Sequence, residues 1–73
     1  MGYAESMLEH AQTHPYDDRP PKDNAQLAAL AVLADLRNRR GIGHELEQVD
    51  RSIREEIVDD LAAIIRAAAK TTE

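Results

Sequence analysis

Residues 24–40, NAQLAALAVLADLRNRR, decide the fold class. The run is built from strong helix formers and contains neither glycine nor proline. Arginines at 37, 39 and 40 stand where cations complement a helix dipole. Asp23 is a good N-cap, and Gln26 stands three residues later in the spacing of a capping box. Gly41 follows, where a left-handed helix-ending residue is expected. The pattern predicts a helix over about residues 24–40.

This helix is apolar on every side along LAALAVLA, with no single stripe. Leu27, Leu30, Val32, Leu33 and Leu36 spread over more than one face, and one neighbouring helix cannot cover them all. Three segments can supply the cover: the N-terminal arm, the residues after Gly43, and a second copy of the chain.

A second long helix is predicted over residues 50–70. Ile53, Ile57, Leu61, Ile64, Ile65 and Ala68 recur at spacings of three and four, which makes a helical stripe. Glu55, Glu56, Asp59, Asp60 and Arg66 take the other faces. Either Asp50 or Ser52 can cap it, and Ser52 with Glu55 reads as a capping box. Between the two helices HELEQV (44–49) has room for one extra turn, which would set Leu46 and Val49 over the open end of the hairpin.

Toward the N-terminus, residues 2–12 form a short amphipathic helix with Ala4, Met7, Leu8 and Ala11 on one side. All three prolines fall in residues 13–22. The Pro20–Pro21 pair imposes extended geometry, so this stretch reads as a linker. Residues 1–22 are then an N-terminal arm, and residues 23–73 a helical hairpin domain. The expected fold is all-α, an αα-hairpin with a short helical arm. Two such hairpins would pair into a four-helix-type bundle across Leu27, Leu30, Leu33, Ile57, Leu61 and Ile64.

Composition supports self-association. A chain of 73 residues holds one domain and buries only about 60% of its unfolded surface. It has no cysteine, so no disulfide or thiolate site can staple it. A homo-oligomer is the remaining common route to a larger core.

The net charge of −5 argues against attraction to nucleic-acid backbones or anionic lipid. Tyr3 and Tyr16 are the only aromatic residues, too few for a base-stacking surface. The start lacks the features of a secretory signal, and no apolar run approaches the length of a membrane span. Gly2 and Ser6 match the loose myristoylation pattern, yet no polybasic segment supplies a second anchor. A cytoplasmic location follows.

Three groups of residues carry chemistry worth weighing. His10 and His14 share a helical spacing known from zinc pairs, but Pro15 ends the helix at once and no HExxH is present; no metal is expected. Glu55, Glu56, Asp59 and Asp60 lack the Glu-x-x-His pattern of di-metal bundles and read as a solvated acidic face able to bind a protein. Arg37, Arg39, Arg40, Gly41, Gly43 and His44 gather cations and glycines in one turn. Arginine forks suit phosphate or carboxylate, so this turn is the candidate site for a small anionic ligand. The same residues also read as ordinary helix-ending chemistry. No nucleophile elbow or P-loop is present, so neither catalytic residues nor a cofactor are expected. A helix-turn-helix is excluded by a connection of about ten residues, where that motif uses three or four, and by the acids on the would-be recognition helix.

The run LADLRNRRGIGHELEQVDRSIREEIVDDLAAIIRAA, residues 33–68, resembles small helical proteins encoded in the early and accessory regions of tailed phages and prophages. The likeness lies in the Arg-Gly-Ile-Gly turn, the Val-Asp before the last helix and the EEIVDDLAAIIR stripe. It brings no catalytic residues. It implies a protein of the host cytoplasm that binds and blocks a host factor, or sequesters a defence signal. The leading expectation is a non-enzymatic inhibitor of a host defence protein, acting stoichiometrically through its acidic helix. A sponge for a nucleotide-like ligand, and a structural or assembly partner, are the alternatives.

Overall fold

The computed structural model describes residues 2–70. Four helices follow one another: α1 (Tyr3–Thr13), α2 (Asn24–Arg37), α3 (Ile42–Glu47) and α4 (Arg51–Lys70). No strand occurs among the described residues. α2 is the one helix that all three others touch.

Each boundary has a local cause. α1 stops at Thr13 because His14 precedes a proline, and a residue in that position is driven out of helical geometry; His14 lies at φ −135°. Three of the four residues predicted on its inward side face the core: Met7 and Leu8 pack on it and Ala11 is fully buried, while Ala4 is exposed. At α2 the Asp23 carboxylate accepts from the Gln26 backbone N–H at 2.9 Å, the predicted N-cap. The Gln26 side chain reaches back one residue further than a capping box requires, accepting from the Lys22 N–H at 2.9 Å.

α2 ends at Arg37, three residues before the predicted end. The Asn38 and Arg39 amides bond back to Asp35 and Leu36 in the tight i→i+3 pattern. The Ile42 N–H then donates to the Arg40 carbonyl at 2.9 Å. This bond closes a three-residue γ-turn around Gly41, whose φ of +81° and ψ of −61° suit glycine best. Gly41 therefore opens α3, with α2 already ended. Gly43 meets a different constraint. A Cβ there would overlap the Arg37 carbonyl oxygen and stand 2.9 Å from its carbon, so α3 can dock on the end of α2 only with glycine at 43. The extra turn predicted at 44–49 starts at Ile42 and brings Leu46 against the core. α4 begins at Arg51, and the Arg54 N–H donates to the Asp50 carbonyl at 2.9 Å. Ser52 is already helical, so its predicted capping box does not form.

The core joins Ala11, Tyr16, Ala29, Leu30, Leu33, Val58 and Ala62. It holds few large side chains, and the alanines let the helices approach closely. The N-terminal arm is docked, because Ala11 and Tyr16 lie in this core beside Leu30 and Val58. α2 is wrapped by its own chain. Leu30 and Leu33, expected to face a second copy, are instead buried within the protomer. Of the α2 residues that prompted the search for cover, Val32 alone remains exposed.

The segment read as a linker is a structural strap. Tyr16 is only 2% exposed. Its hydroxyl donates to the Leu46 carbonyl at 2.7 Å. Two guanidinium groups lie over its ring, Arg54 at 4.8 Å and Arg37 at 5.5 Å from the centroid. Arg54 also donates to the carbonyl of Glu47 (2.6 Å), which the end of α3 leaves without a helical partner, and to that of Val49 (3.0 Å) in the connection that follows. One residue along the strap, buried Asp17 holds Arg19, whose Nη2 lies 2.6 Å from Asp17 and 3.0 Å from Asp59 of α4.

Truncating Tyr16 to alanine removes the ring from this junction, and we expect a loss of about 3–5 kcal/mol in urea unfolding. Tyr16→Phe keeps the ring and strands only the Leu46 carbonyl, for about 1 kcal/mol. Equal losses for the two variants would show that the ring contributes nothing. Gly43→Ala should cost about 1–3 kcal/mol by the same measurement, because the backbone of α3 must shift.

Candidate functional site

The four acids proposed for protein binding all lie on α4, but they divide into two pairs. Glu55 and Asp59 are turned toward the strap. Asp59 accepts from Arg19, the Glu55 backbone carbonyl accepts from the same guanidinium at 3.3 Å, and the Glu55 carboxylate lies 3.7 Å from Arg51. Glu56 and Asp60 are one residue further round, exposed, and have no cationic partner among the described residues. Asp59 therefore ties α4 to the strap, Glu55 pairs within its own helix, and Glu56 and Asp60 are free.

Beside the free pair runs an apolar ridge. Ile53 is 44% exposed and Ile64 63%, with Ile57 and Leu61 half-buried between them. The fully buried residues of α4 are Val58 and Ala62. At 3.6 residues per turn the ridge centres about a third of a turn away from the Val58–Ala62 line. The chain's own core thus covers one edge of the α4 stripe, and the other edge faces outward. Among the residues expected at an interface, Ile64 is open and Leu27, Ile57 and Leu61 are partly so.

The arginine turn proposed for an anionic ligand is largely committed to the fold. Arg37 holds Glu47 at 2.6 Å and donates to the His14 carbonyl at 3.3 Å. Arg39 holds Asp35 at 3.0 Å, and Asp35 also accepts from the Tyr3 hydroxyl. His44 pairs with the Gln48 side chain at 2.8 Å. Arg40 alone has no carboxylate partner among the described residues. Gly41 and Gly43 are accounted for by the γ-turn and the docking of α3.

His10 and His14 stack with ring centroids 5.0 Å apart and planes 16° from parallel. Among the described residues no three His, Asp or Glu side chains gather where they could hold a metal ion. No helix of the described residues is long and apolar enough to cross a membrane.

Charges elsewhere fasten α4 to the start of α2. Arg66 donates to Asp23 through Nε at 2.8 Å and Nη2 at 3.1 Å. These bonds, together with the Gln26 N–H, hold the Asp23 carboxyl below its ordinary range. Tyr3 and Arg39 do the same for Asp35. Burial pushes the Tyr16 phenol up. Sequence reasoning missed Tyr16, Asp17, Arg19 and Arg54. The only signal available was a lone aromatic and an Asp-x-Arg inside a proline-rich stretch.

Compared with protein-family models, curated proteins and solved structures, the chain matches none of them.

The lowered Asp23 and Asp35 carboxyls make stability depend on acid. Their contribution is present above the ordinary carboxyl value of 3.8 and is lost as pH falls through the lower folded values. Helicity of the natural protein should therefore fall most steeply below about pH 4. Asp23→Asn keeps a capping oxygen but loses the charge that Arg66 holds, and it should flatten that fall while lowering the melting temperature at neutral pH. An acid profile identical to that of the natural protein would show that the Asp23–Arg66 pair does not stabilise the fold.

Proposed function

We propose that the protein works by stoichiometric binding, with the acidic outer face of α4 occupying a basic site on a partner protein. The observation that carries this reading is the division of the α4 acids. Glu55 and Asp59 are paired with the chain's own arginines, while Glu56 and Asp60 stand exposed without a cationic partner among the described residues. An unpaired acidic pair on a helix speeds encounter with a basic surface and helps select it. The likeness of residues 33–68 to phage accessory proteins supplies the context: inhibition of a host defence protein in the host cytoplasm, without catalysis or cofactor.

A homo-oligomer of four-helix type, paired through the uncovered face of α4, is a competing reading, and the exposed Glu56 and Asp60 on that face weigh against it. Sequestration of an anionic ligand by the 37–44 turn is the weaker reading, since it must draw Arg37 and Arg39 away from Glu47 and Asp35. A purely structural or assembly role would leave the free acids without a task.

Native mass spectrometry of the protein from cells that naturally carry it separates these readings. We expect a complex with one protein partner at integer stoichiometry, abolished by Glu56→Lys with Asp60→Lys and unchanged by Arg40→Ala. A retained mass of nucleotide size that disappears with Arg40→Ala would replace this reading with the sponge.

A further inference from the structure

The apolar ridge of α4 and its free acids form one continuous surface. Ile53 and Ile57, Glu56 and Asp60, and Asp60 and Ile64 are each four residues apart, so they are neighbours on the helix. Ile57 and Asp60, three apart, close the same patch. Further along, the exposed face carries Ala63 and Ala67, which are small enough to let another backbone come near. The surface therefore runs from large apolar and acidic groups in the first half of α4 to small ones in the second.

We infer that this ridge is the docking site for a cationic amphipathic helix of a partner protein. Its apolar residues would pack between Ile53, Ile57 and Ile64, and its lysines or arginines would face Glu56 and Asp60. The inference rests on the stoichiometric-binding reading and names the partner's chemistry. Charge chooses between the two possible occupants. A second copy would meet the ridge with the same patch, as two-fold pairing requires. That arrangement brings another Glu56 and Asp60 to a face already acidic, in a chain of net charge −5. A basic helix meets the same apolar residues and neutralises the acids. Ile53, Ile57 and Ile64 stand at i, i+4 and i+11, within about 40° of one another round the helix, so a docking helix with its own apolar residues at i, i+3 or i+4, and i+7 meets them along one line.

The test uses the full chain and a fluorescent synthetic helix with leucines three and four residues apart and lysines along one flank. Fluorescence anisotropy should show binding that weakens with added salt. Ile64→Asn should weaken it by about tenfold or more, a difference of about 1.4 kcal/mol. Glu56→Lys with Asp60→Lys should do the same, as should replacing the peptide's lysines with glutamate. Ile64 is 63% exposed, so its variant should keep the natural melting temperature, which separates lost docking from lost folding. Three results would overturn the inference: no binding of the cationic helix; binding that ignores Ile64→Asn; or a dimer of the free protein in sedimentation that Ile64→Asn dissolves. The first two leave the stoichiometric reading standing if the natural partner complex is still lost on charge reversal.

Discussion

Arg54 and the Tyr16 ring hold together parts of the chain that apolar burial alone would leave loosely joined. A core this small has few large side chains, and the alanines that let its helices pack closely each bury little area. One guanidinium meets three needs at once. It covers an aromatic face, satisfies the Glu47 and Val49 carbonyls, and fixes the first turn of α4 to the strap. The planar fork of arginine suits this role, because its donors point in fixed directions while its face lies over the ring. Lysine could supply the charge but not the geometry.

This polar anchor also sets how α4 is rotated. Arg54 stands one turn before Val58, so turning Arg54 toward Tyr16 turns Val58, then Ala62, into the core. Ile53 and Ile64 lie more than a third of a turn away and are carried toward solvent, while Ile57 between them stays half-buried. Hydrophobicity alone would have centred the stripe on α2. The observed setting is a compromise in which burying the stripe's edge and satisfying the Glu47 and Val49 carbonyls together outweigh burying its middle. Arg19 and Arg66 reinforce it from the other flank by holding Asp59 and Asp23.

How much of this was legible follows from the range of each interaction. The Asp23 cap, the inward side of α1 and the breaking of the helix near Gly41 depend on residues within a turn or two, and sequence spacing reveals them. The strap depends on pairs such as Arg19 with Asp59, forty positions apart. No periodicity announces them, and prolines made the segment look like a spacer. α2 misled in a different way. Its all-round apolar character was read correctly, and of the covers the sequence allowed, the N-terminal arm and the segment after Gly43 both pack on it, but the strap between them was not foreseen. On α4 spacing gave the stripe but not its rotation about the helix axis, which the contacts of Arg54 decide. The acidic face was seen as one group, although only the contacts of Arg19 and Arg51 divide it into held and free pairs.

That division gives the surface of α4 its meaning. Glu55 and Asp59 lie toward the strap, where neutralising them stabilises the fold. Glu56 and Asp60 are only 100° further round the helix by its regular geometry, roughly the step between consecutive residues. Moving that step takes a carboxylate from a structural partner to open solvent beside exposed isoleucine. Acids next to an uncovered apolar ridge keep like surfaces apart, since two copies cannot bury their ridges together without bringing their charges together. They impose no such cost on a basic partner. The same residues that discourage self-association therefore favour association with the opposite charge, so that specificity arises from whom the surface repels as much as from what it attracts.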